Sequence, residues 1–221
     1  MSERLLVIDC ATPALSSALF EDTVCLAHQH IELGRGHAEA LLPAIAALPD
    51  GGRASRILVD IGPGSFTGVR VGLAAATALG VAWSIPVQGY GCLDLVAAMV
   101  RDQYAPDVPF PVVMVGGHGE LFWALYPPAG DPKAAEPVAV SSTPIDELAE
   151  QLGDAIVYGS GAQTLVEARG SGTAVPLLPD ARSIALLSPL QSSLPAHPVY
   201  GRGADAKPMA ERAKPNRSPR A

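Results

Sequence analysis

Nine consecutive residues, Gly62-Pro63-Gly64-Ser65-Phe66-Thr67-Gly68-Val69-Arg70, combine three glycines, two hydroxyls and a guanidinium. They follow a β-like apolar run at 56–61 and open a small-residue helix at 69–83, so the spacing predicts a glycine-rich turn between a strand and a helix N-terminus. Amides exposed at such a point carry partial positive charge, so a phosphate or carboxylate could be held there, with Ser65, Thr67 and Arg70 as further donors. Glycines at 62, 64 and 68 also permit positive φ and close backbone approach. Generic templates do not fit. A P-loop requires a lysine that is missing, and threonine stands at 67 where a dinucleotide fingerprint has glycine. Two readings are open: an anion cradle, or a tight corner in which Ser65 or Thr67 caps the helix.

Asp9 ends an apolar run at 5–10 and is followed by Cys10-Ala11-Thr12. An Asp there, with Thr12, could face a metal-bound phosphate, or could simply end a strand in a turn. Phosphotransfer would need a second carboxylate, and Asp60 is the available one; its apolar neighbours leave its direction open. His37 opens a predicted helix at 37–48, but the residue four positions on is Leu41, so no histidine pair on one face can bind a metal. Cys10, Cys25 and Cys92 are widely spaced within apolar runs and read as reduced and inert. Gly159-Ser160-Gly161 has the wrong spacing for a nucleophile elbow.

These groups must be positioned by an α/β framework. The 221 residues are 48% hydrophobic with a formal net charge of −7, which argues against a large nucleic-acid face. Runs at 5–10, 15–20 and 24–30 predict an antiparallel meander. The helix at 69–83 is small or apolar all round, with Gly72, Ala76 and Gly80 recurring every four residues, so a further layer, taken to be a partner helix, is expected over that strip. A strand at 85–88 and a helix at 93–101 close the first unit, and proline-rich 104–109 reads as a linker. A hairpin at 110–126 follows, then a strand at 138–140, a helix at 143–151, a strand at 155–158, a helix at 161–168 and a helix at 183–194 interrupted at Pro189. Residues 203–221 hold five basic and two acidic residues and almost no large apolar ones, the composition of a disordered tail. No leader and no run of membrane-spanning length is expected, which gives a cytoplasmic protein that does not touch membrane.

The glycine stretch resembles the signature of the bacterial TsaB (YeaZ) family of tRNA threonylcarbamoyladenosine biosynthesis subunits. Leu6-Val7-Ile8-Asp9-Cys10-Ala11-Thr12, Gly36-His37-Ala38-Glu39-Ala40-Leu41-Leu42-Pro43 and Pro198-Val199-Tyr200-Gly201-Arg202 agree with it. The resemblance implies a two-lobed α/β fold of the actin, sugar-kinase and Hsp70 (ASKHA) type, each lobe a mixed sheet with helices, divided at 1–103 and 104–202. It implies a non-catalytic scaffold subunit that binds and activates a TsaD-type catalytic subunit. That complex forms N6-threonylcarbamoyladenosine at position 37 of tRNAs reading A-starting codons. A TsaE-type ATPase is a further partner, tRNA is contacted indirectly, and the lone chain self-associates. The interface would lie on the two helices flanking the corner, with His37, Leu41, Val69, Gly72, Leu73, Ala76 and Gly80 in it. No catalytic residue, metal or cofactor is expected, ATP entering only at a subunit boundary. Relatives carry an acidic and a basic residue where Val115 and Gly117 stand, and catalytic relatives carry a histidine pair on the first helix. The alternative is a nucleotide-binding small-molecule kinase or ATPase using Asp9 and the corner at 62–68. A peptidase is a third class, opposed by the absent second histidine and by Ser65 having no base beside it.

Overall fold

The structure, a computed structural model, describes residues 2–201; the tail expected at 203–221 lies outside them. Strands β1 (Arg4–Asp9), β2 (Ala14–Glu21) and β3 (Val24–Glu32) form the expected antiparallel meander. Helix α1 (His37–Ala46) leads to β4 (Arg56–Asp60), which runs parallel to β1. Helix α2 (Phe66–Trp83) and β5 (Val87–Tyr90), parallel to β4, complete the unit. Helix α3 (Cys92–Tyr104) then leads to β6 (Phe110–Gly117), β7 (Glu120–Tyr126), β8 (Ser141–Pro144), α4 (Ile145–Leu152), β9 (Val157–Tyr158), α5 (Ala162–Arg169) and β10 (Ala174–Val175). A two-residue strand, β11 (Leu194–Pro195), ends the set.

The first sheet runs β11-β5-β4-β1-β2-β3 and the second β10-β9-β6-β7-β8. Apart from β11 the two orders coincide, and each parallel pair is joined by a right-sized helical crossover, so the fold is the duplicated ASKHA type expected. β1 and β2 are covered on both faces, β1 as a near-continuous apolar run and β2 with Ser16 and Ser17 buried in it, whereas the edge strand β3 alternates.

Alternation along β1 divides the core. Leu6 and Ile8 face α1 and α2, packing with Leu41, Ile45, Val69, Leu73 and Ala76. Leu5 and Val7 face the opposite side with Leu58, Tyr90, Leu95 and Met99. There Ala181, Ile184 and Leu187 supply the cover, and the Ala181 amide donates to Ser16 Oγ at 2.9 Å.

Three expectations are corrected. The strand expected at 138–140 lies at Ser141–Pro144 instead, because Val138 turns its amide toward Asp94. Residues 183–194 do not form an α-helix: a short 3-10 turn, Ala181–Leu186, gives way to coil, as Pro189 cannot donate a helical hydrogen bond and disfavours helix at Ser188. Residues 181–195, grouped by sequence with the second lobe, pack on the first sheet, since Leu194 and Pro195 pair with Gly89 and Gln88.

The corner and α2 meet the end of β1 through glycine backbone. A Cβ on Gly68 would fall well inside 3.0 Å of the Cys10 carbonyl oxygen, and one on Gly64 inside 3.0 Å of the Ala11 carbonyl oxygen. One turn beyond Gly68, a Cβ on Gly72 would make ordinary contacts, the nearest at 3.6 Å to Val59. Gly68→Ala is therefore expected to destabilise by about 2 kcal/mol or more through backbone displacement. Gly72→Ala should be neutral or stabilising by roughly 0.5–1 kcal/mol from helix propensity. Urea unfolding of both variants checks the contrast.

Candidate functional site

The loop after β4 folds sharply because Gly62 takes φ 90° and Asp60 Oδ1 accepts the Gly62 amide at 2.7 Å. Ser65 caps α2, its Oγ accepting the Gly68 amide at 3.2 Å, so the helix begins at Phe66, three residues earlier than the sequence reading placed it. The Ser65 amide donates to the Ala11 carbonyl at 2.7 Å. A protein carbonyl thus takes one of the amides at the start of the helix. Thr12 is buried and turned to its own loop, its Oγ1 accepting the Ala14 amide at 3.2 Å. Thr67 is exposed.

The segment 198–201 covers the corner's outer side. The Val199 amide donates to the Ile61 carbonyl at 2.8 Å, and Tyr200 packs on Phe66 with ring centroids 5.7 Å apart. Arg70 lies 3.5 Å over the Phe66 ring and donates to the Tyr200 hydroxyl at 3.0 and 3.2 Å. Its guanidinium holds the last described segment down.

Beneath the corner lie Asp9 and Asp60, both about 99% or more buried. Strand alternation puts them on the face of Val7 and Leu58, opposite α2, where Tyr90 and Cys92 join them. Asp9 accepts the Ala11 amide at 3.2 Å and the Tyr90 hydroxyl at 3.1 Å. The Asp60 carboxyl in turn lies against the Asp9 carboxyl and the Cys92 thiol. Carboxylate and thiol atoms of Asp9, Asp60 and Cys92 all lie within 4.8 Å of one another. Burial, reinforced by the nearby Asp60 charge, drives Asp9 well above the ordinary carboxylate range; burial also raises Asp60, against the pull of the Gly62 amide. Both carboxyls are closed off from solvent by the chain itself.

A further buried acid sits between the lobes. Asp94 on α3 accepts the Tyr126 hydroxyl at 2.9 Å and the Val138 amide at 3.4 Å, beside a cavity of about 200 Å³ lined by Ile61, Pro63, Leu93, Val140 and Val199. Burial raises its pKa to about 6, partly offset by the Tyr126 hydroxyl. Sequence reasoning missed it, because an Asp inside an amphipathic helix reads as solvent-facing until β7 and the 137–140 segment are placed over it.

The seven residues expected at a partner interface are corrected by their positions. His37, Leu41, Val69, Gly72, Leu73, Ala76 and Gly80 are all buried within the chain itself. Gly72 approaches Val59, Cys10 and Ile8, and Gly80 approaches Val87, so the small-residue strip serves close packing of α2 on its own sheet. The opposite face of α2, with Ala74, Thr77, Ala78 and Val81, is exposed, as are Ala38, Leu42, Pro43 and Ala46 of α1. Over its 18 residues α2 carries a single charge, Arg70. By length and composition alone it would pass for a membrane span, contrary to expectation, but its inner face is fixed on the sheet.

A family model described as "TsaD: tRNA N6-adenosine threonylcarbamoyltransferase" matches residues 27–165. An uncharacterized protein of Mycobacterium tuberculosis is 30% identical over 218 residues, covering 93% of this chain and 95% of that one. The tRNA threonylcarbamoyladenosine biosynthesis protein TsaB of Escherichia coli is 33% identical over 132 residues, 56% of this chain and 54% of its own length. The TsaB protein of Bacillus subtilis is 33% identical over 102 residues, 44% of each. Among solved structures, YeaZ from Pseudomonas aeruginosa superposes with a TM-score of 0.71 at 23% identity, covering 90% of this chain and 99% of that one.

Asp94 binds its proton more tightly folded than unfolded, its ordinary value being 3.8 and its folded value about 6. Its contribution to stability is therefore fully present below pH 3.8 and is lost as pH rises through 6. Asp94→Asn keeps an acceptor for Tyr126 and Val138 without this titration. Its melting temperature, followed from pH 4 to 7.5, is expected to gain on the wild type as pH rises.

Proposed function

We propose that this chain, which belongs to the TsaB/YeaZ family of tRNA threonylcarbamoyladenosine biosynthesis proteins, is a non-catalytic scaffold subunit. In this reading it docks on a TsaD-type catalytic subunit and activates it for modifying adenosine 37 of tRNA, in the cytoplasm and alongside a TsaE-type ATPase. Free of that partner it pairs with a second copy through the same surface.

One observation carries the reading: the exposed faces of α1 and α2 present Ala38, Leu42, Pro43 and Ala46, and Ala74, Ala78 and Val81, with Glu39 and Arg70 as their charged residues. Such a patch on a well-packed domain marks a protein interface, and small side chains let a second pair of helices approach closely. At the C-terminal end of α2 a hollow of about 350 Å³, lined by Thr77, Val81, Ile85 and Val87, can take a protruding side chain. The sealed state of Asp9 and Asp60 and the filled corner support a subunit that contributes surface rather than chemistry. Nucleotide, if present, is bound at the boundary with the catalytic subunit, and tRNA is contacted through it.

Ala78→Arg places a charge at the centre of this face without touching the core. It is expected to weaken association with a co-expressed TsaD-type subunit at least tenfold, as read by co-purification and gel filtration, with the circular dichroism spectrum unchanged. Undiminished association would contradict the reading.

A further inference from the structure

We infer that the hollow between the two lobes, with Asp94 in its wall, is a binding site for one small primary amine, taken as its ammonium ion with its apolar body against the other walls. The hollow measures about 200 Å³ and is lined by Ile61, Pro63, Leu93, Val140, Leu194 and Val199 besides the acid. An apolar cavity of about 150 Å³ is enough to take up benzene. Pockets for drug-sized ligands begin at about 300 Å³, so the occupant is smaller than a nucleotide.

The charge of the ligand follows from the one acid in the wall. Asp94 is 4% exposed, and the Tyr126 hydroxyl and the Val138 amide both donate to its Oδ1, at 2.9 and 3.4 Å. Its Oδ2 stands at the Gly91 wall, where a Cβ would come within 2.9 Å of it. Gly91 also lines the hollow, and its missing side chain leaves room beside that oxygen. The two bonds to Oδ1 fix the carboxyl, so an incoming ammonium meets an acceptor that is already oriented.

No cation of the chain fills this role. Among the described residues, no Lys, Arg or His forms an ion pair with Asp94. Arg101, two turns further along α3, gives its Nε to the Pro127 carbonyl at 3.1 Å and acts on Asp94 only from a distance. Tyr126 on β7 and Cys92 on α3 are held neutral by burial. Residues 137–140 bring no titratable side chain, and His197 of the 194–199 segment is exposed. Burial raises Asp94 to about 6, so above that pH the hollow holds a carboxylate without a counter-ion, a costly arrangement that an ammonium ion relieves. Entry lies past 194–199, a single layer of chain: Leu194 and Pro195 are its only residues paired with β5, and Val199 is 45% exposed.

The test titrates the full chain with benzylamine and with benzyl alcohol, which share a shape and differ in charge, by calorimetry and ligand-detected NMR. At pH 7.5 the amine should bind saturably, one per chain, at least tenfold more tightly than the alcohol. Between pH 7.5 and 5 the amine should weaken about tenfold, following the ionised fraction of a group that titrates near 6, while the alcohol stays constant. Asp94→Asn should bring the amine down to the affinity of the alcohol and remove the pH dependence. Val140→Phe, which fills the hollow and leaves the acid in place, should abolish binding of both. Absence of saturable amine binding, equal affinity for the two probes, or amine binding unchanged in Asp94→Asn overturns the proposal. The wild-type comparison of the two probes at the two pH values decides it even if a variant fails to fold.

Discussion

Backbone pressed on backbone at the glycine corner is the constraint on which the remaining architecture depends. Gly64 and Gly68 lie so close to the Ala11 and Cys10 carbonyls that no side chain fits between them, and the Ser65 amide is bonded to one of those carbonyls. This contact fixes the height and direction of α2 over the sheet. It sets Gly72, Ala76 and Gly80 downward and Ala74, Ala78 and Val81 outward.

The second lobe repeats the device in reduced form. After β9, Gly159 takes φ 108° and stands against Val113, while the Gly161 amide donates to the Val113 carbonyl at 2.9 Å before α5 begins. Strand, glycine turn and helix N-terminus thus dock on the central strand of each sheet in the same way. The two corners differ in their helices: α2 has 18 residues and a bare outer face, whereas α5 has 8 and carries Gln163, Glu167 and Arg169. Among the described residues, the long helix with a largely uncharged outer face therefore belongs to the first lobe.

Much of the fold was legible in the sequence. The first apolar strand, the antiparallel meander and the hairpin follow from periodicity and turn residues, and the duplicated order follows from the resemblance. What could not be read was direction. An all-round apolar helix gives no sign of which face its own sheet will take, and the small-residue strip, read as an outer surface, is the side that the sheet requires for close approach. Asp60 was equally ambiguous between apolar neighbours until the register of β4 against β1 placed it beside Asp9. The two-residue strands β10 and β11, and the return of 181–195 to the first sheet, leave no local pattern because they are held by distant pairing.

The account's central claim is that the outer face of α1 and α2 receives another protein. Amide hydrogen exchange of this chain, alone and saturated with a TsaD-type subunit, tests it most directly. Slowed exchange across residues 38–46 and 70–83 is the result the account predicts. Protection confined to β3 or to the second lobe, with both helices exchanging as in the free chain, would contradict it.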